Sequence, residues 1–348
     1  MKRTRKLAGS AGVLVAVAVA ASGLIATSVS SAAPQQQAGF LAGVVSDVGR
    51  FNDKGFNQLS LQGCKQGAKA VANGTCRAFE SRSTADYIPN FTKLVRAGAD
   101  ISIATGFLLA DATATIAKKF RKSHFTIVDY SVHAPPFANK AGKPLFKNVV
   151  GLTFATNENS YMIGCLAALM ARDAGSRVIS ATGGIKIPTV TIFIAAYAAG
   201  AKKCVKGTKT LVDYSQDFVD QAKCKELALN HIDAGSKVEF AVAGGCGLGA
   251  LDAAKEAKIW GVGVDKDQSF LGPHILTSAV KRVDLAVKGV IQAQSLGVYP
   301  GGTDIKFNLG NGGVAIGKIS RKVPPNYITR MNSIGLQIMN GVIKPPVK

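Results

Sequence analysis

From about residue 40 onward, short apolar runs alternate with longer segments whose apolar residues recur every three to four positions. The first pattern reads as buried β-strands and the second as amphipathic helices. Strands are predicted at Phe40–Val45, Arg77–Glu80, Ile101–Thr105, His124–Asp129 and Val149–Phe154. A second series follows at Arg177–Thr182, Lys209–Tyr214, Val238–Ala243, Trp260–Val264 and Ile275–Ser278. Helices fill the gaps: Asn57–Val71, Ala85–Gly98, Leu108–Phe120, Ser160–Asp173, Val190–Lys203, Asp217–Asp233 and Gly247–Lys258. Such alternation marks an α/β protein with parallel sheets, and two successive series imply two similar lobes. A further helix, Val280–Leu296, has room to return to the first lobe.

Within this pattern the stretch from Gly43 to Gly63 carries candidate chemistry. A buried strand ends just before Asp47, a polar loop follows, and a helix opens near Phe56 with Asn57 beside it. Open α/β sheets bind ligands in the crevice beyond their strand ends. An aromatic ring next to an amide and two carboxylates, Asp47 and Asp53, suits a flat solute that forms hydrogen bonds. From the local pattern Phe56 serves equally well as a core anchor of its own helix.

Ahead of the first strand, Lys2, Arg3, Arg5 and Lys6 form a basic region, and Ala11–Ala21 is an apolar run. Ser30-Ser31-Ala32-Ala33 then offers small residues for cleavage, so residues 1–32 read as a cleavable signal peptide. No cysteine lies in or just after it, which leaves no lipid acceptor and predicts a protein released to the cell-envelope exterior. The formal charge is +21. Its cations are scattered over predicted helix faces with no aromatic-interleaved stripe, which argues against a nucleic-acid partner.

All six cysteines follow the signal segment. None forms a CxxC or Cys/His cluster, and the four histidines are dispersed, so no zinc site is expected. Cys64 and Cys76 flank one short helix-to-strand connection, and Cys204 and Cys224 bracket the strand Lys209–Tyr214. Both are disulfide candidates. Cys165 and Cys246 are left to pair or to remain thiols.

The blocks SDVGRFNDKGFNQ, ESRSTADYIPN, TGF and FTIVDY, followed by NVVGLTFATNENSYMIGCLAA, ATGGIKIPTVTIFIAAYAAG, VAGGCGLGALDAAKE, WGVGVDKDQS and LTSAVKRVD, run in order over nearly the whole mature chain. Together they resemble the basic membrane protein, or PnrA-like, family of ABC-transporter solute-binding proteins. The resemblance implies a type I periplasmic-binding fold: two Rossmann-like lobes joined by three hinge crossovers, closing on a ligand. Carried over, the N-terminal lobe takes residues 38–154 plus 280–303, and the C-terminal lobe 155–279 plus 304–345. The crossovers then fall near Phe154–Asn157, Thr277–Lys281 and Thr303–Leu309.

The resemblance also implies a ligand, a purine nucleoside such as adenosine, guanosine or inosine, and an ABC permease as partner, with no cofactor. Phe56 is expected to stack on the base and Asn57 to hydrogen-bond to it. Asp129 is expected to read the ring N–H edge, and Phe193 to cover the opposite face from the second lobe. Gly244 and Gly245 would let the backbone approach the sugar, Asp265 would accept from its hydroxyls, and Lys281 would donate near the hinge. Asp47 and Asp53 are expected to order the loop, and Asp86, Tyr87 and Gly106 to lie near the cleft without a contact role. The chain departs from the family at Asn52, where an acidic residue is common, at Gly55 (Ser), at Ala196 (Gly) and at Cys246 (Thr).

No Ser/His/Asp arrangement or P-loop can be assembled, and GGCGLG has the wrong spacing for a dinucleotide fingerprint, so an enzyme is not expected. The reading is therefore a monomeric receptor that hands its ligand to an importer. A secreted nucleoside sensor or scavenger, or a sugar binder of the same fold, is the alternative.

Overall fold

The computed structural model describes residues 39–347, and the predicted signal peptide lies outside them. The first series is β1 (Leu41–Val45), α1 (Phe56–Lys69), β2 (Thr75–Phe79), α2 (Tyr87–Arg96), β3 (Ile101–Ala104), α3 (Ala110–Lys119), β4 (Phe125–Val128) and β5 (Val149–Phe154). The second is α4 (Thr156–Asp173), β6 (Val178–Gly183), α5 (Pro188–Cys204), β7 (Lys209–Tyr214), α6 (Gln221–Asp233), β8 (Val238–Val242), α7 (Gly247–Glu256), β9 (Trp260–Asp265) and β10 (Ile275–Lys281). The chain then runs through α8 (Val283–Ser295), β11 (Asp304–Phe307), β12 (Val314–Ile316) and α9 (Pro325–Met339).

Two six-stranded sheets result, in the orders β11-β5-β4-β3-β1-β2 and β12-β10-β9-β8-β6-β7. Every ladder is parallel except β10 with β12. Every residue of β3, β4, β8 and β10 is buried, because helices cover both sheet faces. In the first sheet α8 packs on α1 through Val283, Val287 and Ile291. In the second, α4, α5 and α9 share one core with Val238, Phe240 and Val242. Cys224, Ala241 and Ala250 belong to a separate core on the opposite face, under α6 and α7. Among the described residues no helix is long and apolar enough to cross a membrane.

Several boundaries differ from the sequence reading. Val280 and Lys281 extend β10, pairing with Asp265 on one side and with Ala315 and Val314 on the other, so α8 begins only at Val283. Asp304–Phe307 joins the first sheet beside β5, so the passage to the second sheet falls late in the expected Thr303–Leu309 span and residues 304–307 pair with the first lobe's strands. The two short edge strands β11 and β12 were illegible because a run of three or four residues carries too little periodicity. Helix α6 starts at Gln221, which leaves Asp217 and Phe218 in the preceding loop.

The disulfides are Cys64–Cys76, Cys165–Cys204 and Cys224–Cys246. The expected pairing of Cys204 with Cys224 is corrected. Cys204 ends α5 and Cys224 sits in α6, and those helices cover opposite faces of the second sheet. Each cysteine instead meets a partner on its own face, at Cα–Cα distances of 5.1 and 5.6 Å.

Helices α4 and α5 cross closely at two glycines. A Cβ added at Gly164 would run into the Tyr197 carbonyl, and one at Gly200 into the Tyr161 carbonyl. On the opposite face of that sheet, Glu239 is fully buried on β8. It accepts hydrogen bonds from Ser180 and from Thr182 Oγ1 at 2.6 Å, and its Oε2 lies 3.1 Å from His231 Nδ1. Asp213 Oδ2 lies 3.0 Å from the other ring nitrogen. Burial opposes a charge on His231, but the Glu239 and Asp213 carboxylates outweigh it and hold the imidazole above its ordinary range.

Two outcomes follow for stability. Gly164→Ala is expected to lower the unfolding free energy by about 1–3 kcal/mol in urea denaturation, because rigid backbone opposes the new methyl. An unchanged midpoint would mean the helices can part freely. For His231, a raised folded pKa adds stability that is fully present below the unfolded value and fades as the pH climbs through the folded one. The thermal-midpoint advantage of the wild type over His231→Asn should thus be greatest below pH 6.5 and shrink above it. A difference constant with pH would rule out that linkage.

Candidate functional site

Both sheets point the carboxyl ends of their parallel strands at one interlobe cavity, the location expected for a ligand crevice. Its walls include all eight sequence-predicted site residues: Phe56, Asn57, Asp129, Phe193, Gly244, Gly245, Asp265 and Lys281. All but Phe193, which lies within α5, sit at or just beyond an element end. Asp129 follows β4, Asp265 closes β9, Lys281 closes β10, and Gly244 and Gly245 lie between β8 and α7.

At the centre is a buried cation between two carboxylates. Lys281 Nζ lies 2.6 Å from Asp129 Oδ2 and 2.9 Å from Asp265 Oδ1. One aspartate belongs to each lobe, and both have left-handed backbones, with φ of 59° and 62°. Aspartate tolerates that region better than most side chains, so a strand can end and turn its carboxylate in a single residue. Burial penalises the Lys281 ammonium, but Asp129 and Asp265 together hold its pKa above the usual lysine range. The ammonium also stands 4.4 Å from the Phe56 ring centroid and 5.5 Å from that of Phe193.

The two rings are set differently. Phe56 opens α1, and Gly106 makes room for it: a Cβ there would fall 2.7 Å from Phe56 Cε1, and Gly106 holds a φ of 99°. Phe193 lines the cavity from α5 but is only 2% exposed and packs edge-on against Phe240 at 6.2 Å. It is therefore both a core residue and a wall of the crevice.

Asn57 is more committed than the sequence suggests. Its Nδ2 donates to Asp47 Oδ1 at 2.7 Å and to Asp53 Oδ2 at 3.1 Å, while its Oδ1 accepts the Asp47 N–H at 3.0 Å. Both amide hydrogens are thus in use within the loop. Asp53 accepts the N–H groups of Gly55, Asn57 and Gln58, which starts α1 as expected of a loop-ordering carboxylate. Asp47 Oδ1 likewise accepts the Gly49 N–H at 2.7 Å. Burial raises the Asp47 carboxyl to about 7, against the bonds from Gly49 and Asn57 and with help from the nearby Asp53 and Asp265.

Sequence reasoning did not assign a contact role to Phe107, Ile187, Thr189 or Phe218, which also line the cavity. Phe107 lay within the TGF block. Phe218 carried no signal, because its neighbours read as the first turn of a helix. Across the cleft, Lys266 Nζ donates to Gln58 Oε1 at 3.0 Å, and Gln268 Nε2 to the Lys54 carbonyl at 3.4 Å, holding the lobes together. Among the described residues no cluster of three or more His, Cys, Asp or Glu is arranged to hold a metal ion.

Comparison with known proteins agrees with this geometry. The family model described as "ABC transporter substrate-binding protein PnrA-like" matches residues 32–348. A relative from Lactococcus lactis subsp. cremoris, the ABC transporter nucleoside-binding protein BmpA, is 33% identical, with 90% of this chain and 92% of that protein aligned. Basic membrane protein D of Borreliella burgdorferi is 28% identical over 86% of this chain and 85% of its own length. Among solved structures, an ABC-transporter solute-binding protein from Aeropyrum pernix K1 superposes with a TM-score of 0.77 at 20% identity, covering 88% of this chain and 94% of that one. That likeness establishes the fold, two lobes of the type I periplasmic-binding kind. The match across nearly the whole chain, on a cleft assembled from both lobes, makes this protein a member of the PnrA-like family of ABC-transporter substrate-binding proteins.

Proposed function

We propose that the cleft captures a purine nucleoside such as adenosine, guanosine or inosine, and delivers it to the permease of an ABC importer. The observation that carries this reading is the convergence of two aromatic side chains, one from each lobe, with a set of carboxylates around one cavity. A planar base held between Phe56 and Phe193 gains buried area plus about 0.5–1.5 kcal/mol per good aromatic contact. Closing on it requires both lobes, since each supplies one face. Asp129 takes the base's N–H edge. Asn57 holds Asp47 in place and keeps one carbonyl lone pair for the ligand.

On the sugar side, Gly244 and Gly245 allow close backbone approach, Asp265 accepts from the ribose hydroxyls, and Lys281 donates. The charge balance supports an unphosphorylated solute. Asp47, Asp53, Asp129 and Asp265 share the cavity wall with Lys281 as the one lysine or arginine among its lining residues. A phosphate placed there would face uncompensated like charge. The L. lactis relative, described as nucleoside-binding, points to the same ligand class.

Calorimetric titration of ligand-stripped protein against nucleosides, free bases, pentoses and hexoses tests the assignment. Saturable binding of purine nucleosides is the expected result, and binding of sugars without nucleosides would replace it with a sugar receptor. Phe56→Ala and Asp265→Ala are each expected to weaken nucleoside binding at least tenfold, about 1.4 kcal/mol, with circular dichroism unchanged. Wild-type affinity in both folded variants would remove the stacking and ribose contacts from the model.

A further inference from the structure

The loop that presents Gly244 and Gly245 to the cavity has no side chains of its own to hold it, only backbone bonds from Gly247 and Leu248 to its carbonyls. Two consecutive glycines carry no side chain, and Gly244 adopts a φ of 56°. Glycine also loses more conformational freedom on ordering than any other residue. Its anchor is the next residue. The Cys246 N–H donates to the Phe218 carbonyl at 3.0 Å, and its sulfur is joined to Cys224 in α6. Cβ atoms added at Gly244 and Gly245 would come within 3.4 and 3.3 Å of that same carbonyl, so the loop lies directly on the Phe218 backbone.

Phe218, Gly244 and Gly245 all line the cavity, and a Cβ on Gly245 would sit 3.8 Å from Asp53 Cβ in the other lobe. The disulfide therefore ties the first turn of α6, which the Phe218 loop leads into, to the end of the Gly244–Gly245 loop at the start of α7, at the surface the first lobe closes upon. Both sulfur-bearing residues are fully buried. The other two disulfides are placed differently: Cys165–Cys204 braces α4 to α5 and Cys64–Cys76 braces α1 to β2, whereas Cys246 directly follows the cavity-lining Gly244 and Gly245.

We propose that the Cys224–Cys246 disulfide is a positioning element of the cleft, coupled thermodynamically to ligand binding: the oxidised form binds more tightly, and bound ligand makes the bond harder to reduce. The inference rests on Gly244 and Gly245 contacting the nucleoside. With the bond intact the loop is ordered before the ligand arrives, so less conformational freedom is lost on binding. A dithiol such as dithiothreitol reverses this. Its thiolate attacks one sulfur, its second thiol displaces the mixed disulfide, and the reagent leaves as a cyclic disulfide. Two electrons and two protons pass to Cys224 and Cys246, which end as thiols. Linkage is reciprocal, so the factor by which reduction weakens binding equals the factor by which ligand protects the bond.

The test uses adenosine, guanosine and inosine as probes on the oxidised wild type, on Cys224→Ala/Cys246→Ala and on Cys64→Ala/Cys76→Ala. Calorimetry is expected to show affinity about fivefold or more weaker in the first double variant, within the usual range of such couplings, and unchanged in the second. If the first variant fails to fold, the wild type alone supplies the answer. Equilibrated in dithiothreitol redox buffers, alkylated and digested, it reports the oxidised fraction at Cys224–Cys246 by mass spectrometry. Saturating nucleoside should shift the midpoint toward more reducing conditions. Equal affinities, or a midpoint indifferent to ligand, would overturn the coupling while leaving nucleoside binding intact. Failure of the oxidised wild type to bind any of the three probes would overturn the nucleoside reading and this coupling with it.

Discussion

The cleft is organised around one buried ammonium group, that of Lys281. A lysine as buried as Lys281 is costly unless its charge is matched by carboxylates with good geometry. Here the match comes from two separate sheets: Asp129 ends a strand of the first and Asp265 a strand of the second. The pairing exists only when the carboxyl edges of both sheets face each other across the crevice. It thereby couples the closed arrangement of the lobes to the electrostatics of the site, and it sets a cation beside both aromatic rings. Lys281 itself closes β10, from which the chain returns to the first lobe, so the charge sits at a passage between lobes.

Around that centre, close approach is achieved with small residues and polar order with carboxylates. Gly106 admits the Phe56 ring, while Gly244 and Gly245 bring backbone to the cavity wall. Asp47 and Asp53 are buried; Asp53 accepts N–H groups on both oxygens and Asp47 accepts from Gly49 and Asn57 on Oδ1, all in the loop that carries Phe56. The start of the helix that carries Phe56 is thus fixed by polar groups, while its ring packs against the apolar core of the first lobe. Such a loop is ordered before a ligand arrives, which reduces the conformational freedom lost on binding.

The second lobe is reinforced on each face separately. One face has the glycine crossing of α4 and α5 with its disulfide. The other has the His231–Glu239–Ser180 network and the Cys224–Cys246 link. The central strands end directly at cleft loops, so whatever fixes β6 and β8 also fixes the loops that carry Ile187 and Gly244.

The amino-acid sequence by itself determined the alternation of strands and helices, the two-lobed α/β class and, through ordered motif blocks, the residues that meet at the cleft. Those features are local or linear: apolar periodicity reports burial, and a strand-end aspartate is visible one residue after the apolar run stops. Tertiary structure alone decided which cysteines pair, because pairing depends on which face of the sheet each helix covers. It likewise decided that Asn57 serves the loop carboxylates, that Lys281 ends a strand and does not begin a helix, that β11 joins the first sheet, and that Phe218 reaches the cavity. Each of these depends on groups brought together from distant parts of the chain, and periodicity along one segment carries no information about what lies across from it.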